Sequence, residues 1–551
     1  MLCTGARILL ESLKREGVDL FFGYPGGAVI DIYDELSNHP DLRHILVRHE
    51  QGAVHAADGY ARACGKVGVC LATSGPGATN TVTGIATAYS DSIPMVIFTG
   101  QVSTPLIGND AFQEVDIIGI TRPCTKHNFL VKDVKDLAET VRKAFYLARS
   151  GRPGPVLVDI PKNIQQASCE FVWPEDVVMR SYCPTFRANL NQLRRAMDVL
   201  VTSRKPLIVA GGGVIMANAA EELCTLAHLM HAPVCSTLMG LGAVPADNPR
   251  MLGMLGMHGT HAANIAMQRC DLLIAVGVRF SDRALGNAET FAAQAKVLHI
   301  DIDRAEINKN VSTTLHITGD ARVVLELLLS RVAQKANGQW MQQARSMMEE
   351  YLSDELFEPR KILRQMAAIA PEITVATDVG QHQMWTAQHF PFLHPRQLIT
   401  SGGLGTMGFG LGAAMGAAAS DPAGRPVALV TGDGSFRMNL TELSTIGYYG
   451  IPVIVVIFNN GTLGMVRQWQ TLFFGHRYSQ TTLDRGPDFM KLAAAYGLSG
   501  ARVNTVETFA AAFKAAVEKR EPCIIECMLD IDEMVAPMVA PGSPIDSFCL
   551  N

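Results

Sequence analysis

An apolar run, Val427 to Thr431, ends in Gly432-Asp433-Gly434-Ser435, and a second, Val453 to Phe458, ends in Asn459-Asn460. Asp433 and Asn460 stand 27 residues apart, the length of one strand, one crossover helix and the next parallel strand. Unbroken runs of Val, Ile and Leu belong to strands buried on both faces, so this region must build parallel sheet covered by helices. Both motifs then fall at carboxyl ends of strands, where open α/β sheets bind ligands. A carboxylate, an amide oxygen and glycine-freed backbone suit a hard divalent cation that holds a diphosphate. A lone GDG is more often an ordinary turn; its place at a strand end, with NN one crossover later, argues against that reading.

The same alternation of strand-like and helical stretches runs through all 551 residues and predicts an α/β protein of three doubly wound parallel-sheet domains. Expected boundaries are 1–180, 188–335 and 360–551. Two polar stretches, roughly 167–190 and 334–360, read as connections, the second with a helix. The outer domains look related. Ser74-Gly75-Pro76-Gly77 follows one apolar run and precedes Ile93-Pro94 by 16 residues, while Gly432-Asp433-Gly434-Ser435 precedes Ile451-Pro452 by 17. The net charge of −5 gives no reason to invoke nucleic acid or an anionic membrane. The 12 cysteines are scattered without a CxxC pair, as in a reduced cytosolic protein. Residues 1–16 read as an amphipathic helix, and no apolar run is long enough to span a membrane, so a cytoplasmic protein is expected.

In the last domain, Asp433 offers charge to a cation, Asn460 a neutral oxygen, and a backbone carbonyl near Thr462, freed by Gly461 and Gly464, a further oxygen. Gly432 and Gly434 allow close backbone approach to phosphate. Asp378-Val379-Gly380-Gln381-His382 follows a short strand, and Ser401 to Gly408 opens an Ala/Gly-rich helix; such turns can hold a ring system and a phosphate tail. In the first domain, Glu50 sits where the strand Ile45 to Val47 gives way to a helix. By position alone it reads as an acidic helix-start residue favoured by the dipole. The turn Gly23-Tyr24-Pro25-Gly26-Gly27 can bring backbone N–H groups to a reacting carbonyl or simply reverse the chain. In the middle domain, Gly211-Gly212-Gly213 ends a strand, a weak signal by itself.

Together these stretches resemble the large (catalytic) subunit family of acetohydroxyacid synthase, or acetolactate synthase, among thiamine diphosphate enzymes. The resemblance covers nearly the whole chain: FGYPGG at 22–27, RHEQGA at 48–53, ATSGPGATN at 72–80, AFQEVD at 111–116, LGMLGMHG at 252–259, SGGLGTMGFG at 401–410 and, most discriminating, GMVRQWQ at 464–470. It implies thiamine diphosphate and Mg²⁺ held by Asp433, Asn460 and Thr462, and the catalytic Glu50 of one subunit facing the cofactor of another. There a buried carboxyl with a raised pKa would protonate the aminopyrimidine, although the helix dipole pushes the other way. Tyr24, Pro25, Gly26, Thr73, Pro76, Asn80 and Gln113 would line the pyrimidine side, Met407 would wedge the cofactor, and Gly380, Gln381, His382, Gly405, Ser435, Gly464 and Met465 would line the other side. FAD would lie in the middle domain on Arg152, Gly211, Gly212, Thr237, Leu238, Gly256, Met257, His258, Arg279, Arg283, Asp301, Ile302 and Asp320.

The implied reaction decarboxylates pyruvate and condenses the hydroxyethyl unit with a second pyruvate or with 2-ketobutyrate, in branched-chain amino-acid synthesis. Trp469 and Arg283 would meet the acceptor, with Phe112, Gln113 and Lys162 nearer the entrance. A homodimer or tetramer is implied, with a small regulatory subunit in many members. Ser281 stands where the family commonly has Asp, and Gly412 where it commonly has Pro. Rival readings are pyruvate oxidase, glyoxylate carboligase (which has an apolar residue in place of Glu50), a flavin-free acetolactate synthase, and a non-catalytic nucleotide-binding scaffold.

Overall fold

The computed structural model describes residues 2–335, 338–348 and 358–550. These residues build three six-stranded sheets, each parallel throughout. The first contains Leu20–Gly23, Arg43–Leu46, Gly68–Ala72, Met95–Gln101, His127–Leu130 and Pro155–Pro161. Counted in chain order, its strands lie in space as 2-1-3-4-6-5. The third contains Thr374–Thr377, Leu398–Ile399, Val427–Gly432, Val453–Asn459, Ser499–Val503 and Cys523–Met528, again in the order 2-1-3-4-6-5. The likeness of the outer domains therefore extends to the whole strand order. The middle sheet runs Pro206–Ala210, Val234–Ser236, Met251–Met254, Leu272–Val276, Lys296–Asp301 and Leu315–Thr318 in the order 3-2-1-4-5-6, the dinucleotide-binding arrangement.

Every residue of Gly68–Ala72, Met95–Gln101 and Leu272–Val276 is buried, because helices cover both sheet faces and no strand side meets water. The strand orders also fix three crevices. The chain leaves strand 1 toward strand 2 on one side and returns on the other, so a gap opens at the carboxyl ends of strands 1 and 3 in each outer sheet, and of strands 1 and 4 in the middle one.

The N-terminus differs from expectation. Leu2–Thr4 is a strand paired antiparallel with Ser168–Glu170, and the helix spans Gly5–Arg15. Thr4 is the reason: it caps the helix by accepting from the Arg7 N–H, and a cap residue is itself extended. Residues 171–189 form neither helix nor strand. The second connection holds the helix Gln339–Arg345, whose Trp340 indole donates to the Pro206 carbonyl at 2.9 Å; residues 336, 337 and 349–357 lie outside the described residues.

The outer domains meet where the helix Glu50–Cys64 crosses the helix Phe409–Ser420. A Cβ on Gly59 would lie 2.0 Å from the Ala413 carbonyl oxygen, and one on Gly416 would lie 1.8 Å from that of Ala56. The backbones touch, and only glycine fits. Gly412 lies in the same seam, where a Cβ would come 2.8 Å from that of His55. This crowding accounts for glycine where the family resemblance suggests proline. No helix among the described residues is long and apolar enough to cross a membrane.

Candidate active site

The crevice of the third sheet gathers the residues expected to hold metal and diphosphate. Asp433 directly follows the strand Val427–Gly432 and is 1% exposed, yet its Oδ2 has no hydrogen-bond partner among the described residues. The nearest cation is Arg437, at 3.6 Å. Burial pushes the Asp433 carboxyl up to about 6 against the pull of Arg437. A buried carboxylate oxygen without a donor is costly unless a cation completes it. Asn460 sits at the neighbouring strand end, its amide donating to Gln381 Oε1 at 3.1 Å and its Oδ1 accepting from the Thr462 N–H at 3.3 Å. The Thr462 hydroxyl turns away to the Thr481 carbonyl at 2.8 Å, and nothing among the described residues donates to the Thr462 carbonyl. An acidic oxygen, an amide oxygen and a free carbonyl thus come together, an all-oxygen set that fits Mg²⁺.

Glycines keep the surrounding backbone close. A Cβ on Gly464 would overlap Gln381 Oε1 at 1.8 Å, and one on Gly432 would lie 2.9 Å from His382 Nδ1. Burial drives the His382 imidazole down to about 3, so the ring is neutral, and its Nε2 has no partner among the described residues. Gly408, at φ +86°, organises the turn beside Met407. Its N–H donates to Asp378 Oδ1 at 2.8 Å and to Ser435 Oγ at 3.2 Å, while its carbonyl accepts from Asn439 Nδ2 at 2.9 Å.

The crevice of the first sheet assembles the other set. Glu50 opens the helix Glu50–Cys64, is 9% exposed, and accepts from Asn80 Nδ2 at 2.9 Å. Pro76 starts the short helix that carries Asn80 to it. A Cβ on Gly77 would come 3.1 Å from Glu50 Oε1, and one on Gly26 would strike Thr73 at 2.5 Å. Gln113, at φ +58°, folds its loop against Gly75, and the neighbouring Phe112 is 88% exposed. Tyr24 is partly exposed beside the same turn, next to Pro25. Lys162, expected near the entrance, donates from its amine to the Gly27 carbonyl at 2.7 Å and pairs with Asp31 at 3.2 Å, holding the glycine turn. Among the described residues no hydrogen bond or ion pair joins Glu50 to Asp433 or Asn460.

One cavity of about 920 Å³ runs from the crevice of the middle sheet to the third domain. Its walls include Gly212, Thr237, Leu238, Met257, His258, Arg279, Asp301, Ile302 and Asp320 at one end, and Gly380, Gly405, Met465 and Trp469 at the other. The size and the strand order suit a dinucleotide. Gly211 and Gly256 shape its turns without facing it: a Cβ on Gly211 would lie 2.0 Å from the Gly277 carbonyl oxygen, and Gly256 has φ +124°. Arg152 lines the cavity, but its guanidinium is bound to Asp303 at 2.9 Å and Glu306 at 2.7 Å. Arg279 donates to the Ser90 carbonyl. Asp320 caps the helix Ala321–Leu329, and Asp301 accepts from the Asp303 N–H. Ser281 lines the cavity at the start of the helix Asp282–Leu285. The two expected acceptor residues meet: the Arg283 guanidinium lies 5.6 Å over the Trp469 ring, and the Trp469 N–H has no partner among the described residues.

Three acids were given no role from the sequence. Asp378 holds Gly408, Asp91 accepts from the Gly402 and Gly403 N–H groups at 3.0 and 2.7 Å, and Glu442 accepts from Arg48 and His49. An acid directly after a buried strand was the available signal for Asp378. Asp91 and Glu442 interrupt helical stretches and carried none.

Three family models match successive parts of the chain: the N-terminal thiamine pyrophosphate-binding domain at residues 3–120, the central domain of the same enzymes at 193–328, and their C-terminal thiamine pyrophosphate-binding domain at 378–527. The acetolactate synthase large subunit of Haemophilus influenzae is 46% identical over 100% of this chain and 98% of its own length. The isozyme 3 large subunit of Escherichia coli is 47% identical over the same shares, and the acetolactate synthase of Arthrospira platensis 48% identical over 98% of this chain and 96% of its own. With sheets, crevices and identity agreeing from end to end, the chain belongs to the acetolactate synthase large-subunit family of thiamine diphosphate-dependent enzymes.

Proposed function

We propose that this chain decarboxylates pyruvate and joins the hydroxyethyl unit to a second 2-keto acid. Pyruvate as acceptor gives 2-acetolactate and 2-ketobutyrate gives 2-aceto-2-hydroxybutyrate, the common step toward valine, leucine and isoleucine. The observation that carries this reading is the buried Oδ2 of Asp433, which accepts no hydrogen bond, beside Asn460 and the open Thr462 carbonyl. These groups would hold Mg²⁺, which would neutralise a diphosphate bound beside it. Thiamine diphosphate supplies the electron sink for loss of carbon dioxide. Glu50 holds a proton at pyrimidine N1′, and Asn80 fixes the direction of its carboxyl. His382, neutral, offers an N–H to an anionic oxygen. Trp469 walls the acceptor's alkyl end, and Arg283 faces its carboxylate. FAD occupies the central cavity.

The units 1–180, 188–335 and 360–551 bind pyrimidine, flavin and diphosphate respectively. In this reading the chain works as a homodimer or tetramer in which Glu50 reaches the neighbouring copy's cofactor. A small regulatory partner accords with the relatives' description as large subunits, and a cytoplasmic setting accords with cysteines that form no disulfide among the described residues. Incubation with pyruvate, Mg²⁺ and thiamine diphosphate should yield 2-acetolactate. Adding 2-ketobutyrate should shift product toward 2-aceto-2-hydroxybutyrate, and Trp469→Leu should lower that share several-fold. Oxygen uptake in place of carboligation would replace this reading with an oxidase.

A further inference from the structure

The residue most deeply built into the approach to Glu50 belongs to the other outer domain. Glu442 ends the short helix Leu440–Glu442 and is fully buried. Its Oε1 accepts from the N–H of Arg48 at 3.0 Å and of His49 at 3.1 Å, and its Oε2 from the Thr445 hydroxyl at 2.6 Å. Arg48 and His49 are the two residues immediately before Glu50, and His49 is the cap of the Glu50 helix. The same segment is held twice more from this side. The Arg48 Nε donates to Ser444 Oγ at 3.1 Å, and the Leu46 N–H donates to the Tyr449 hydroxyl at 3.0 Å. Room for the carboxylate comes from Gly52, where a Cβ would lie 2.3 Å from Glu442 Oε1.

A helix N-terminus presents N–H groups that need acceptors. Here a side chain 393 residues away in sequence supplies one to His49. A buried, charge-assisted acceptor on two consecutive N–H groups sets both the height and the rotation of the chain just before Glu50. At its other end, the helix of Glu442 follows Asn439, which holds the Gly408 carbonyl beside Met407.

We propose that Glu442 is a positioning residue for Glu50, acting from the diphosphate-binding domain through the Arg48 and His49 N–H groups. This rests on the reading of Glu50 as the group that protonates the pyrimidine. It makes the acid of one site depend on a strut rooted in the metal-binding domain of its own chain.

The test compares Glu442→Gln, Gly52→Ala and Glu50→Gln. Gly52→Ala keeps the Glu442 carboxylate chemically intact and improves helix propensity, yet its Cβ pushes that carboxylate out of position. Backbone amide exchange over residues 47–53 is read first on cofactor-free protein. It should speed up about tenfold in Glu442→Gln and in Gly52→Ala, and stay unchanged in Glu50→Gln. Deuterium exchange at C2 of bound thiamine diphosphate should slow about tenfold or more in all three, with Mg²⁺ and cofactor affinity within about twofold of the parent. If Glu442→Gln folds poorly, Gly52→Ala is read alone. Normal C2 exchange in Glu442→Gln or Gly52→Ala, beside slow exchange in Glu50→Gln, overturns the positioning role. Normal C2 exchange in Glu50→Gln overturns the underlying reading instead.

Discussion

At the residue scale, the buried Oδ2 of Asp433 accepts no hydrogen bond and has only Arg437 at 3.6 Å, so replacing the residue removes the proposed metal ligand and breaks little else. Asp433→Ala should fold, keep its flavin, and lose more than about tenfold in Mg²⁺-dependent thiamine diphosphate affinity by calorimetric titration. Asn460 and Thr462 were readable beside it because glycine and asparagine at a strand end advertise backbone exposure. Glu50 was readable only through its motif, since an acid at a helix start has an ordinary explanation. Glu442 and Asp91 were not legible, and Asp378 was legible only as an acid directly after a strand. Their partners are main-chain N–H groups, which every residue owns, and for Glu442 these lie nearly 400 residues distant. Lys162 and Arg152 were legible as cations, but a sequence does not show that Asp31, Asp303 and Glu306 are near enough to engage them.

At the element scale, the strands Met95–Gln101 and Pro155–Pro161 bury Asp159 opposite Thr99. Its oxygens accept from the Thr99 hydroxyl at 2.7 Å and from the Gln101 amide at 3.0 Å, and Gln101 also holds the Val115 carbonyl of the loop bearing Phe112 and Gln113. Burial raises the Asp159 carboxyl to about 7. A folded-state value above the unfolded one gives stability that is complete in acid and is lost as pH rises through about 7. The thermal midpoint of the first domain should therefore fall between pH 5 and pH 8, and Asp159→Asn should flatten that slope. The glycine seam makes a second expectation. Gly416→Ala places a methyl 1.8 Å from the Ala56 carbonyl oxygen and should cost about 1–3 kcal/mol, measurable as a lower melting temperature. Strand positions followed from apolar runs, but the order 2-1-3-4-6-5 did not, because side-chain pattern records burial and says nothing of which strand lies beside which. The N-terminal strand escaped for a related reason: three residues are too few to show a period, and their partner, Ser168–Glu170, is remote.

At the scale of the whole molecule, the division of the proposed site between two copies can be measured by mixing. Glu50→Gln and Asp433→Ala should each be inactive alone. Unfolded together and refolded at equal amounts, they should recover about a quarter of parental activity, since half the dimers are mixed and each has one intact site. If both groups served one chain's own cofactor, the mixture would stay inactive. The matching order of the outer sheets has a further meaning for heredity. A chain that carries one scaffold twice can let each copy shed what the other keeps. The turn after the third strand carries the proposed metal carboxylate, Asp433, in the last domain and Gly75 in the first, whose proposed acid, Glu50, follows the second strand instead. Descent by doubling and division of labour would leave this pattern, and it leaves neither half able to work for itself.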